Sequence, residues 1–293
     1  MKRNIISIFV FMVIVTLSVS TAFACPPAAE KTNKTGILLV TFGSSYPEAQ
    51  RAFDNIDEKA RAAFPDTEIR WAWTSRMIRN IMAERGTALH SPEQALAEMA
   101  DEGFTHVAVQ SLHVIMGSEF HYLKSVAKAF ESMGKGIENI SVGMPLLADQ
   151  RAMEMAANAV KSSIPPERNV DDAVVLVGHG TAHPANAFYT ALMWQLQQTD
   201  KNIFIGTLSG FPDEDVILDI LKKNGIEKVW LMPFMSVAGD HVQNDMFSED
   251  EDSWQSIFEE AGIESEAVNK GFAEYDVYVD IWIKHLEDAL SKL

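Results

Sequence analysis

The chain has 293 residues, is 47% hydrophobic and carries a formal net charge of −17, with an isoelectric point near 4.8. That length accommodates two domains or one large α/β unit, and the hydrophobic share excludes a disordered chain. A surface this acidic excludes nucleic acid as a partner, because such binding rests on Lys and Arg neutralising phosphates, but it suits cations, divalent metal ions included.

Met1-Lys2-Arg3 is followed by an apolar run from Ile5 to about Val19, then by Ala22-Phe23-Ala24, with small residues where a signal peptidase reads them. This plan predicts a signal peptide over residues 1–24 and a periplasmic mature protein. The run is shorter than the roughly 20 residues of a transmembrane helix, and no later stretch is apolar enough to span a bilayer. Cys25, the single cysteine, comes next. Simple cleavage is favoured over a lipid anchor there, since Ala22 stands where a lipidation signal carries leucine. A lone cysteine also excludes an internal disulfide.

Gly36–Thr41 reads as a buried strand, and Pro47–Phe64 as a helix with its proline near the first turn. Glu68–Trp73 is a second strand. Ser91-Pro92-Glu93-Gln94 has capping-box spacing and opens a helix to about Glu102. Thr105–Gln110 and Ile140–Met144 are the third and fourth strands. A helix begins at His121 and continues through Lys124. The plan then recurs, with strands at Ala173–Val177, Asn202–Gly206 and Lys228–Met232. Glu249-Asp250-Glu251-Asp252 is expected to start a helix ending near Gly262, where negative charge suits the helix dipole. A terminal helix runs from about Tyr275 to Leu293. Strands separated by helices predict an α/β fold: two similar halves, each a parallel sheet flanked by helices, over residues 33–165 and 166–293. The break falls at the prolines Pro165 and Pro166, and the terminal helix is expected to pack on the first half.

The halves match each other in sequence. Val40-Thr41-Phe42-Gly43-Ser44 lies over Val177-Gly178-His179-Gly180-Thr181, each directly after a first strand. The stretch from Val107 to Glu119 lies over Val229 to His241, so that Gly117 meets Gly239 and Glu119 meets His241. Two such halves related by a pseudo-dyad face each other across a cleft, and ligands of open α/β sheets bind beyond the carboxyl ends of strands. His179, between two glycines after a strand, is a candidate ligand or base, with a phosphate-cradling loop as the alternative. His241 and Glu119 enter the same cleft from opposite sides. Two imidazoles and a carboxylate suit Fe, Co, Ni or Zn ions. Thr41–Ser45 could bind phosphate but lacks the P-loop lysine.

These segments, Gly178-His179-Gly180, Gln110–Glu119 and Met232–His241, resemble the anaerobic-pathway sirohydrochlorin cobaltochelatases of the CbiK type, and the resemblance extends from Thr35 onward. It implies the class II chelatase fold and insertion of Co²⁺, with Fe²⁺ as the alternative ion, into sirohydrochlorin for cobalamin biosynthesis without a nucleotide cofactor. The family's two key histidines match His179 and His241, and its metal-site glutamate matches Glu119. The export signal departs from the family, because cobalamin synthesis belongs in the cytoplasm. A periplasmic metal or tetrapyrrole carrier is therefore the second hypothesis.

The chemistry fits the residue types, since a free-base macrocycle loses two N–H protons as the ion enters and a neutral imidazole accepts protons near physiological pH. For the many substrate carboxylates, Gly43, Ser44, Ser45, Arg76 and Arg79 are the binding candidates. His113 is expected to be structural and His183 to lie near the cleft rim. His90, His106 and His285 are expected to be structural or on the surface. His121 should point away from Glu119 and reads as a surface histidine; the sharper alternative is a haem ligand across a subunit interface. A homo-oligomer is expected.

Overall fold

The computed structural model describes residues 33–293; the signal peptide expected over 1–24 and the expected cleavage before Cys25 lie outside the described residues. The first sheet is built from β1 (Thr35–Thr41), β2 (Glu68–Trp73), β3 (His106–Ser111) and β4 (Asn139–Gly143). The second is built from β5 (Ala173–Gly178), β6 (Ile203–Thr207), β7 (Lys228–Pro233) and β8 (Glu264–Ala267). Strand order is β2-β1-β3-β4 in one and β6-β5-β7-β8 in the other, with every described pairing parallel. The same order in both sheets is the structural counterpart of the repeat.

The central strands β1 and β5 carry unbroken apolar runs, Ile37–Val40 and Val174–Val177, because both of their faces are covered. In β1, Ile37 and Leu39 face a core that also takes in Val174 and Leu176 of β5, so this core is common to both halves. Leu38 and Val40 face the opposite side, among Leu96, Phe104 and Val109. Val175 and Val177 face a third cluster with Ile217, Trp254 and Phe258. Period-two alternation between two dry faces is what turns a strand into a continuous hydrophobic run.

The helices are α1 (Gln50–Ala63), α2 (Arg76–Glu84), α3 (Pro92–Asp101), α4 (Ser118–Glu131), α5 (Gln150–Ser163), α6 (Ala187–Gln197), α7 (Glu214–Lys223), α8 (Trp254–Glu260) and α9 (Asp276–Leu290). The capping box at Ser91 and Gln94 forms with both reciprocal bonds present. Helix α9, the last in the chain, packs on β3, β4, α1 and α5 of the first half. There Lys59 bridges Asp276 and Asp280, at 3.3 and 2.8 Å. The acidic run Glu249–Asp252 does not start a helix: it lies in a turn ahead of α8. Ser253 caps that helix by accepting from the Ser256 amide at 3.2 Å, so the helix begins only at Trp254. The helix expected to begin at His121 starts three residues earlier, at Ser118, directly after Gly117.

Candidate active site

The site lies where the carboxyl ends of the two sheets meet. Gly178 ends β5, and a Cβ there would stand 2.5 Å from the Tyr189 ring. Gly180 has φ +74, and a Cβ would come within 2.7 Å of Thr207 Cβ and 2.9 Å of the Gly210 amide nitrogen. Both glycines are therefore required by space, and the second also by conformation. The amide of Ser209 donates to the His179 carbonyl at 2.9 Å, which holds the backbone of this loop and leaves the imidazole exposed.

His179 and His241 stand together, ring centroids 4.7 Å apart and edge to face at 82°. Their outer partners differ. His179 Nδ1 lies 2.9 Å from the Gly180 carbonyl oxygen, while His241 Nδ1 lies 2.6 Å from Asp245 Oδ2. Both partners can only accept, so each Nδ1 carries the proton and each Nε2 keeps its lone pair. Asp245 follows His241 by four residues, a spacing that brings side chains together within one helical turn; here that turn, Val242–Met246, is π-helical, an element that often marks functional sites.

Glu119 sits in the first turn of α4. Among the described residues no group of three or more His, Cys, Asp or Glu side chains stands close enough to hold an ion. The structure thus brings the two imidazoles together and leaves Glu119 outside a three-ligand cluster. Across the repeat, the counterpart of His179 is Phe42, 44% exposed, so an apolar ring occupies in the first half the position the imidazole occupies in the second.

The expected carboxylate-binding residues divide. Gly43 adopts φ +105 against Trp73. The Ser44 hydroxyl accepts from the Tyr46 amide at 3.2 Å, and the Ser45 carbonyl is held by Arg85. Arg79 donates to the carbonyls of Trp73 and Thr74 at 2.6 and 2.9 Å, which commits part of its guanidinium to the turn after β2. Arg76 is exposed at the start of α2. His113 is half satisfied: Nδ1 meets Ser111 Oγ at 2.9 Å, but the buried Nε2 has no partner. His90 pairs with Glu98, His106 with Thr105, and His285 with the Met144 carbonyl. His121 is exposed, with its ring 5.3 Å from that of His183.

Asp245 and Tyr46 are site residues that sequence reasoning missed. The spacing of four between His241 and Asp245 was a readable signal, but only inside a helical turn. Tyr46 of the first half donates to Asp240 Oδ1 at 2.7 Å, and Asn244 donates to the same oxygen at 2.9 Å, which ties the segment carrying His241 to the opposite half.

Residues 35–291 match the family model described as cobalt chelatase (CbiK). The chain is 41% identical over 260 residues to the sirohydrochlorin cobaltochelatase CbiKC of Nitratidesulfovibrio vulgaris, covering 89% of this chain and 92% of that protein. It is 32% identical to the sirohydrochlorin cobaltochelatase of Salmonella typhimurium, covering 88% and 97%. Among solved structures, SirB from Bacillus subtilis with Fe³⁺ superposes with a TM-score of 0.57 at 18% identity, covering 87% of this chain and 95% of that one. The sirohydrochlorin chelatase SirB in complex with cobalt does so with a TM-score of 0.57 at 16% identity, covering 88% and 96%. At that identity the two structures speak for the fold, which is that of the class II chelatases.

Proposed function

The chain belongs to the CbiK cobalt chelatase family, and from that premise we propose that it inserts Co²⁺ into sirohydrochlorin without a nucleotide, with His179 and His241 serving the ion and the pyrrole protons. The observation that carries this reading is the imidazole pair at 4.7 Å, each ring with Nδ1 committed to an acceptor and Nε2 left with its lone pair. A free-base macrocycle gives up two N–H protons as the ion enters, so two neighbouring bases match the stoichiometry of the reaction.

The rings divide the labour unequally. Asp245 faces the positive charge that forms on His241 when it takes a proton, and it holds the ring in the tautomer that can take one. His179 meets only a neutral carbonyl; it presents the ion first and, once the ion has left it, takes the second proton. Two neutral nitrogens hold a divalent ion weakly enough to release it. Glu119 helps deliver the ion from the facing half, and the exposed Phe42 ring offers an apolar face to the flat macrocycle. Arg76 is placed to meet a peripheral carboxylate. Export to the periplasm is part of the proposal and rests on the three-part pattern of residues 1–24.

The test is an insertion assay with sirohydrochlorin and protoporphyrin side by side, each with Co²⁺ and with Fe²⁺, under excess macrocycle. Repeated turnover on sirohydrochlorin with Co²⁺ is expected. Binding that stops at one equivalent per chain would make the protein a carrier.

A further inference from the structure

The two halves meet at two junctions beside the imidazole pair. At one, the segment after β1 meets the segment after β7, where Tyr46 donates to Asp240. At the other, the segment after β5 meets the start of α4, where the His183 and His121 rings lie 5.3 Å apart. Since β1 corresponds to β5 and β3 to β7 in the two sheet orders, each junction is the pseudo-dyad mate of the other.

The mates are chemically unequal. The overlay that sets Val40 on Val177 sets Tyr46-Pro47 on His183-Pro184, and each proline opens a 3-10 turn. The overlay that sets Gly117 on Gly239 sets Ser118 on Asp240. The first junction is therefore closed by a carboxylate that accepts two hydrogen bonds. At the second the carboxylate is missing, and no hydrogen bond joins the two imidazoles.

The tautomer of the neutral His183 ring is fixed by its surroundings. Its Nδ1 accepts from the Ala185 amide at 3.1 Å, so in the neutral ring Nε2 carries the proton and donates. That nitrogen has no lone pair to give an ion, and among the described residues no third ligating side chain stands near, which disfavours a metal site. His121 is exposed, and its ring nitrogens are bonded to no described residue. Two imidazoles with spare donors and no acceptor between them fit an incoming carboxylate.

We propose that His121 and His183 together hold one peripheral carboxylate of the tetrapyrrole substrate, which takes the place at this junction that Asp240 takes at the other. The inference rests on the chelatase reading. It makes the pair a binding clamp that fixes the rotation of the macrocycle over His179 and His241.

The experiment compares steady-state insertion by wild type, His121→Ala, His183→Asn and the double variant. In His183→Asn the side-chain amide oxygen would still accept from the Ala185 amide and keep the 3-10 turn capped, and alanine suits an exposed helical position. In each single variant KM for sirohydrochlorin should rise about tenfold while kcat stays within about twofold of wild type. The double variant should be little worse than either single one, because both rings act on the same carboxylate. Binding of metal-free sirohydrochlorin, read by its fluorescence without Co²⁺, should weaken in parallel, and His121→Gln, which keeps a donor, should recover most of the loss. Unchanged KM and unchanged fluorescence binding in both single variants would overturn the proposal, as would a rise in KM for Co²⁺ in place of the macrocycle. A wild-type protein that inserts no metal would instead overturn the chelatase reading, and the fluorescence titration would still report on the clamp.

Discussion

Acid should destabilise this protein through His113 more than through any surface histidine. Its Nε2 is buried without a partner, and burial pushes the imidazole from 6.5 down to about 4. The unfolded chain binds a proton below about pH 6.5 that the native state refuses until about pH 4, so the contribution to stability is complete above pH 6.5 and is lost as pH falls between those values. At 1.36 kcal/mol per pH unit, that interval amounts to about 3 kcal/mol, of which about 2 kcal/mol falls between pH 7 and pH 5. The measurement is urea unfolding of wild type and His113→Gln at several pH values over that range. His285, also held low by burial, adds a loss of the same sign to both proteins, so the difference between them isolates His113. Wild type should lose about 2 kcal/mol more than the variant on going from pH 7 to pH 5. Equal losses would show that the native state accepts the proton at His113 and would refute the burial argument.

Two further outcomes follow from the geometry of the site. Asp245→Asn replaces the acceptor of the 2.6 Å bond to His241 and should lower kcat for Co²⁺ insertion by about 10²-fold, with KM for the macrocycle unchanged; an unaltered kcat would remove Asp245 from the mechanism. Gly180→Ala forces φ +74 on a residue whose Cβ would stand 2.7 Å from Thr207 Cβ. It should cost about 1–3 kcal/mol in thermal unfolding and depress insertion by moving His179, and a variant that melts with the wild type would contradict the packing account.

The central strands were legible because both faces of each sheet are dry, which writes strands such as Ile37–Val40 and Val174–Val177 as unbroken apolar runs. Strand β8 was not, since Glu264-Ser265-Glu266-Ala267 is a polar edge that pairs only with β7 and packs little of its own surface. The start of α8 was misplaced because a run of acids suits a first helical turn, and the local bond from the Ser256 amide to Ser253 overrode that preference. His179 and His241 could be found because each lies beyond a recognisable apolar strand, and the repeat turned the carboxyl ends of those strands toward one cleft. Asp245 and Tyr46 could not, because one needed a helical turn at Val242–Met246 that the sequence did not announce and the other a contact between residues 194 positions apart in sequence. The role of Ser44 shifted for a similar reason: its hydroxyl is drawn into a local turn by the Tyr46 amide.

The central claim is that the paired imidazoles, and not the fold around them, perform the insertion. Its most direct test is the rate of Co²⁺ insertion into sirohydrochlorin by wild type, His179→Ala and His241→Ala, each confirmed folded by its melting temperature. Both imidazoles are at least partly solvent-exposed, so the variants should melt close to wild type. Insertion should collapse in both, with macrocycle binding retained; full activity in both folded variants would contradict the account.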